Sequence, residues 1–326
     1  MKLSFATGLL LGGALFTALI VWYGATDIWA AAATVGWGIL LVSGYRFAIL
    51  IFDTLSWQVL LPRAGREPLA RLFWIRWVAD SVNTLMPVAR VGGEFLRALM
   101  LYRRGVDGSL AGASVMVDVT AGILTQFIFS VVGVVAFAAI AGGSTNLVLA
   151  LVLGLALFAA GLGGFYAVQR SGLFLRLARL LERFASVGAF ASVTGGAAAL
   201  DSAIADLYRQ RGASTACCFW RIVGWVAGTG EVWLILLLLG HPVSLTEAFV
   251  LESLGQAARS AGFMIPGGLG IQEGGFLLVG SQIGLTPELA LALSLVKRAR
   301  ELIIGIPGLI AWQLAEGRGV LRRRSI

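Results

Sequence analysis

The chain alternates between long apolar runs and short polar breaks, and the run lengths set the class of structure. Nine apolar stretches stand out: about 4–23, 35–61, 72–86, 109–141, 147–168, 214–240, 245–264, 274–285 and 288–315. A helix needs roughly 20 mostly apolar residues to cross a bilayer core about 30 Å thick. Six stretches (4–23, 35–61, 109–141, 147–168, 214–240 and 288–315) are read as spanning helices. The other three differ. The stretch 72–86 is short, ends at Pro87 and has basic residues on both sides: Arg63, Arg66, Arg71 and Arg76 before the break, Arg90, Arg97, Arg103 and Arg104 after it. A single crossing would place one basic set outside, whereas a re-entrant hairpin keeps both inside. The stretch 245–264 carries Glu247, Glu252, Gln256 and Arg259, ends at Pro266-Gly267-Gly268-Leu269-Gly270, and leads into 274–285 between charge-poor flanks. That pattern fits a hairpin entered from the opposite side. The expected fold is all-α: a single polytopic transmembrane domain over 1–326 with about six spanning helices, two re-entrant hairpins and both termini cytoplasmic.

An internal repeat follows from spacing. Glu94 lies 7 residues after Pro87, and Glu273 lies 7 after Pro266. Asp118 lies 31 after Pro87, and Lys297 lies 31 after Pro266. Asp53 precedes Pro87 by 34 residues, and Glu231 precedes Pro266 by 35. Each unit is a span, a broken hairpin and a span: repeat one at about 35–141, repeat two at about 214–315. Opposite predicted orientations make this an inverted-topology repeat, an arrangement that in secondary transporters sets the substrate site between broken helices. Between the units, 170–213 carries Arg170, Arg176, Arg179, Arg183, Arg209 and Arg211, with leucines at helical spacing from Leu173. It reads as one or two amphipathic helices on the cytoplasmic leaflet, or as a solvated linker.

Composition agrees with the class. Hydrophobic residues make up 58% of 326 positions and charged residues 13%, against about 25% charged in soluble domains. The net charge of +8 sits largely beside apolar runs, as the positive-inside rule requires. No nucleic-acid reader motif accompanies it, so nucleic acid is not an expected partner. The run from Leu3 to Tyr23 exceeds a signal-peptide core, and the alanines at 30–33 lie beyond it, so a retained signal anchor is expected. Adjacent Cys217 and Cys218 read as packed membrane residues, and the lone His241 as interfacial; neither gives a metal site, and no cofactor is expected.

Candidate chemistry lies around the two breaks. Proline frees carbonyls, and glycine lets the backbone bend or approach a ligand. In the first block Arg76, Asp80, Asn83 and Pro87 form one polar stripe, followed by Arg90, Gly92, Gly93, Glu94 and Arg97. Arg90 and Glu94 could pair at i, i+4. In the second block Glu252, Gln256 and Arg259 form a stripe before Pro266, Gly267, Gly268, Gly270, Gln272 and Glu273. Such a stripe facing hydrocarbon would cost several kcal/mol, so it should face a cavity or pair internally. If Ile271 opens a half-helix, its free N–H groups suit an anionic group. Inside the last run stand Lys297, Arg298, Arg300 and Glu301; three cations with one acid imply a surplus positive charge that seeks a phosphate or carboxylate. The intramembrane acids Asp53, Asp118 and Glu231 are functional candidates by default, and Asp118 is expected to face Lys297 across the repeat axis.

The blocks Asn83-Thr84-Leu85-Met86-Pro87 with Gly92-Gly93-Glu94-Phe95-Leu96-Arg97-Ala98, and Pro266-Gly267-Gly268-Leu269-Gly270-Ile271-Gln272-Glu273-Gly274-Gly275 with Leu291–Val296 running into Lys297-Arg298, carry a family resemblance. Over nearly its whole length the chain resembles the flippase-like transmembrane domain of lysylphosphatidylglycerol synthases. Within that group it looks most like the hopanoid-biosynthesis-associated membrane proteins. The resemblance implies lipid translocation or handling at a bacterial inner membrane. The sequence stops at Ile326, so no soluble aminoacyl-transfer domain and no synthase activity are expected. The resulting expectation is a lipid flippase or transporter acting on a polar-headed lipid such as a hopanoid or phospholipid. In this scheme Arg259, Lys297, Arg298 and Arg300 hold the headgroup, while Glu94, Glu252 and Glu273 gate it or exchange protons. The alternative is an accessory scaffold for lipid-synthesis enzymes. An enzyme would need a nucleophile or metal site, and the sequence offers neither.

Overall fold

A computed structural model describes residues 26, 29–30, 33–62, 67–86, 92–140, 145–170, 172, 176, 191–262 and 268–324. Among the described residues there are ten helices and no strand: α1 (Gly38–Gln58), α2 (Leu69–Leu85), α3 (Gly92–Tyr102), α4 (Gly108–Ile140), α5 (Thr145–Arg170), α6 (Ala191–Arg209), α7 (Arg211–Leu238), α8 (Leu245–Ala261), α9 (Ile271–Gln282) and α10 (Pro287–Arg324). The chain is an all-α polytopic membrane protein. Four helices meet the length and apolarity of a membrane span: Gly38–Gln58, Gly108–Ile140, Val148–Gln169 and Arg211–Leu238. They match the expected spans at 35–61, 109–141, 147–168 and 214–240. The expected span at 4–23 lies outside the described residues, as does most of the 170–213 linker apart from α6. The last expected span becomes α10, which is 38 residues long; its internal charges keep it out of the apolar class.

Local chemistry sets the breaks. Met86 leaves helical geometry (φ −100°, ψ 147°) immediately before Pro87, as the clash between a proline ring and the preceding residue requires. Ser244 and Glu247 cap α8 reciprocally. Gly270, at φ +78°, turns the chain into α9, a left-handed conformation that favours glycine.

The helices fall into two matching sets. Gly92 and Ile271, which open α3 and α9, are 179 residues apart, and so are Gly108 and Pro287, which open α4 and α10. Thus α1–α4 correspond to α7–α10. The packing repeats with the sets exchanged: α2 packs on α10 and α8 on α4, while α1 packs on α10 and α7 on α4. The most extensive contact joins the equivalent helices α1 and α7. They run antiparallel, because Gly38 meets Leu238, Tyr45 Oη donates to Ala227 O (2.9 Å), Phe52 stacks on Trp220 and Asp53 pairs with Arg221. Equivalent helices that run in opposite directions make the repeat an inverted one.

The core divides accordingly. One apolar cluster joins Val42 of α1, Phe137 of α4 and Leu236 of α7 to Leu251 of α8, Phe276 of α9 and Leu293 of α10. Another, beside the opposite end of α1, joins Trp57 to Ile75 of α2, Leu96 of α3, Val115 of α4 and Leu309 of α10. The two hairpins, α2–α3 and α8–α9, therefore sit toward opposite ends of the α1–α7 pair. A third cluster gathers Leu60, Ala113 and Cys217 with Ile204 of α6. It places the C-terminus of α1 at the same end as the N-termini of α4 and α7.

Each hairpin closes through glycine. A Cβ on Gly93 would collide with the Ala79 carbonyl and Asn83, and one on Gly275 would lie 2.7 Å from Ala258 Cβ. Between helices of different repeats, Gly133 faces Ser253 and Gly308 faces Ser81, the close approach that small residues permit in membranes. Replacing Gly93 with Val forces α3 off the α2 backbone. We expect a loss of about 1–3 kcal/mol, read as a lowered thermal unfolding midpoint of the purified protein in detergent. Gly105→Ala, where no atom lies within 4 Å of the new Cβ but φ is +91°, serves as the comparison for strain without overpacking.

Candidate functional site

Two networks of ionised side chains lie inside the helix bundle. The first centres on Asp118 of α4, whose side chain is fully buried. Arg76 Nη1 of α2 donates to its Oδ2 at 2.8 Å, Arg97 Nη2 of α3 at 2.8 Å, and Arg221 Nη2 of α7 at 2.6 Å. Ser56 Oγ of α1 adds a hydrogen bond of 2.8 Å to Oδ1, where Arg221 Nε also donates at 3.2 Å. The Arg97 guanidinium lies 4.3 Å from the Trp57 ring centroid, a cation–π contact in a dry setting. Each arginine reaches a second acid. Arg221 Nη1 donates to Asp53 at 2.8 Å, Arg97 Nη1 to Glu94 at 2.6 Å, and Arg76 Nε stands 3.5 Å from Asp80. Three cations thereby share four carboxylates. Asp80 and Glu94 form the outer rim, with side chains 37% and 24% exposed.

Asn83 ties the first hairpin together. Its Oδ1 accepts the Gly93 N–H (2.8 Å), and its Nδ2 donates to Glu94 (3.3 Å). Gly92 and Gly93 open α3 beneath it. Pro87 and Arg90 lie outside the described residues, so the expected Arg90–Glu94 pair does too; among the described residues Glu94 is held by Arg97 and Asn83.

The second network joins four cations to four acids, with Arg298 also 3.7 Å from Glu301. Lys297 Nζ donates to Glu252 at 2.5 Å, and Arg298 Nη2 to Glu273 at 3.1 Å. Arg300 Nη2 lies 2.8 Å from Glu231, and Arg259 pairs with Glu301. Gln256 donates to Glu252 (2.9 Å), and Arg259 to Gln272 (3.4 Å). Glu273 does most to fix the second hairpin. Its Oε2 accepts the Gly270 N–H at 2.8 Å, and its Oε1 accepts Ser294 Oγ at 2.7 Å along with Arg298. The start of α9 is thus fastened to α10. Gly268, at φ +62°, packs its backbone on Arg259. Pro266 and Gly267 lie outside the described residues.

Two expectations change. Asp118 does not face Lys297: it takes three arginines, while Lys297 goes to Glu252. The cations of 297–301 carry no unanswered surplus, because Glu231, Glu252 and Glu273 arrive from α7, α8 and α9 to join Glu301. Lys297 and Glu301 each pair with a residue of α8 rather than with each other. The half-helix at Ile271 is present as expected, with Glu273 already occupying its first turn.

A recess of about 360 Å³ lies between the start of α4 and α6, lined by Asp107, Ser109 and Leu200 among others. It is remote from both networks and holds none of their residues. No group of three or more His, Cys, Asp and Glu able to hold a metal occurs among the described residues.

The family described as the lysylphosphatidylglycerol synthase TM region matches residues 9–308. The chain belongs to this family. No curated protein matches the chain. In this lysylphosphatidylglycerol synthase TM-region chain, both glycine-rich blocks that carried the resemblance fall at the hairpins, and Lys297-Arg298 falls in α10.

Arg221 escaped the sequence reading altogether. It is a single arginine within an apolar run, and its partners Asp53 and Asp118 are 168 and 103 residues away. Its only sequence signal is that an arginine inside a span demands an acid on another helix. Arg76 was visible as part of a stripe but not as an Asp118 partner. Removing Asp118 leaves three buried guanidiniums facing each other. Asp118→Ala is expected to cost about 3–5 kcal/mol, measured as a fall in the unfolding midpoint in detergent. Arg97→Met, which keeps volume against Trp57 and leaves Asp118 two partners, should cost less; the reverse order would contradict Asp118 as the hub.

Proposed function

We propose that the chain is a lipid flippase-like transporter of a bacterial inner membrane. In this reading the polar headgroup passes between the two hairpins while the acyl or polycyclic part stays in lipid. The observation that carries it is the placement of two buried charge networks on an inverted pair of hairpins, on either side of the antiparallel α1–α7 contact. Ionised groups inside a membrane mark substrate and ion paths by default, and an inverted repeat supplies two exchangeable gates. Arg298 and Glu273 on one side, and Arg97 and Glu94 on the other, are the pairs a passing headgroup would open. Opposite charges already in contact offer each end of such a headgroup a replacement partner at little net cost. Basic residues after α1, before α4 and before α7 adjoin one end of the bundle, which supports a cytoplasmic position for that end and for both termini. The reading takes a hopanoid or phospholipid as its substrate class; membership of a lysylphosphatidylglycerol synthase TM-region family supports a lipid role. The reading assigns the chain no chemical transformation.

The complete pairing of the second network favours one other reading, a scaffold subunit of a lipid-synthesis complex in which these charges only fasten helices. Proteoliposomes carrying fluorescent phospholipid or hopanoid analogues separate the two. Glu273→Gln together with Arg298→Gln is expected to slow inner-to-outer leaflet movement at least tenfold in protein that remains folded. Movement at the wild-type rate by the folded double variant, or none by the wild type above protein-free vesicles, would exclude transport through this path.

A further inference from the structure

Along its length α10 answers to two different neighbours. Ahead of Ile304 its polar side chains hold repeat two: Ser294 and Arg298 meet Glu273 of α9, Lys297 meets Glu252 of α8, and Arg300 meets Glu231 of α7. From Ile304 onward it rests on the first hairpin. The Trp77 indole of α2 donates to the Ile304 carbonyl at 2.9 Å. A Cβ on Gly305 would lie 2.7 Å from Leu85 Cδ1, and one on Gly308 would strike Ser81 Oγ and stand 3.1 Å from Trp77 Nε1. Leu309 and Trp312 pack on the cluster that holds Trp57 and Ile75. Pro307 falls inside the helix at this changeover. It has no N–H for the Ile303 carbonyl, and its ring crowds that carbonyl, so one rung of the helical ladder is missing. Gly305 and Gly308 flank it with the least helix-holding residues after proline itself.

The other repeat supplies the comparison. At the offset of 179 residues, Trp77 and Ser81 of α2 correspond to Gln256 and Ser260 of α8, and Ile304 and Gly305 of α10 to Thr125 and Gln126 of α4. That crossing is polar too, but its bond runs the other way. Gln126 Nε2 of the long helix donates to the Gln256 carbonyl of the hairpin (3.1 Å) and to Ser260. Ile128 and Phe129 stand where α10 has Pro307 and Gly308, so α4 has a backbone N–H to give at every position through the crossing. We infer that α10 is a jointed helix. Its first part, 287–303, moves with the helices that hold its charges; its second part, from 308, stays with the first hairpin; and Trp77 pins the pivot between them. Hinges are a few residues that absorb the backbone change between two rigid parts, and here the joint falls where the packing partner changes. Rocking of one repeat against the other, as inverted-repeat transporters do, is then taken up at one point of α10. The ion pairs ahead of the joint travel as a block and need not break. The inference names a moving part of the chain and stands whether or not a lipid is carried.

Electron paramagnetic resonance distance measurement on the full chain in detergent tests this without any transport assay. Spin labels go on cysteines placed at the exposed Phe95 of α3 and Leu278 of α9, with Cys217 and Cys218 replaced by alanine. We expect a broad or two-peaked distribution of distances between the hairpins. Pro307→Ala, which restores the missing N–H, should narrow it at least twofold without lowering the unfolding midpoint. Trp77→Phe keeps an aromatic ring but removes the donor; it should broaden the distribution and speed amide hydrogen exchange across 304–311 at least tenfold. A single narrow distribution in the chain that carries Pro307, or a broad one that folded Pro307→Ala leaves unchanged, would overturn the joint. So would exchange across 304–311 of the unaltered α10 no faster than across the equivalent 125–132 of α4, a comparison that needs no substitution to fold. Exchange unchanged by Trp77→Phe would remove Trp77 as the pivot.

Discussion

One carboxylate organises half the molecule. Asp118 draws in arginines from α2, α3 and α7 and a serine from α1, so five helices converge on two oxygen atoms. In water such an arrangement would be weak and replaceable. Within a lipid-wrapped bundle, each guanidinium without a carboxylate would face a desolvation cost of several kcal/mol. The first hairpin is held in place because Asp118 is the fully buried acid that Arg76 and Arg97 share, while their second acids, Asp80 and Glu94, are partly exposed.

The second hairpin solves the same problem differently. Instead of one hub it spreads its charge over four acids, with Arg298 bridging Glu273 and Glu301 and Glu273 clamping the entry of α9 to Ser294 and Arg298 of α10. Equivalent positions thus hold different chemistry: the Glu94 side chain is 24% exposed, while that of Glu273 is 1% exposed. Inverted symmetry of backbone is combined with asymmetry of charge.

Much of the architecture was legible because lipid imposes simple rules. Runs such as 109–141 can hardly be anything but spanning helices, and Met86 before Pro87 and Gly270 before Ile271 mark breaks by backbone sterics alone. The repeat was readable from the Glu94 and Glu273 spacings, since each acid occupies the same turn of the same short helix. Pairing was not readable. Lys297 and Glu301 stand at i, i+4, yet the fold brings Glu252 to Lys297 and Arg259 to Glu301 from a neighbouring helix. Periodicity reports which residues share a helix face, and it is silent on which face meets it. Arg221 shows the same gap from the other side: it is isolated in sequence, and it acquires a partner in Asp53 only once α1 and α7 are laid antiparallel.

The charges within α10 bear on how the protein is made. A segment carrying Lys297, Arg298 and Arg300 is a poor substrate for insertion by itself, since each such cation adds about 2.5–3.5 kcal/mol near the centre of a membrane helix. The acids that neutralise it, Glu231, Glu252 and Glu273, all precede it in the chain and leave the ribosome first. Synthesis order thus prepares a negatively charged berth before the positively charged helix emerges. The last helix partitions into lipid as a partner to helices already there, so biogenesis of the second repeat is an assembly step rather than a series of independent insertions.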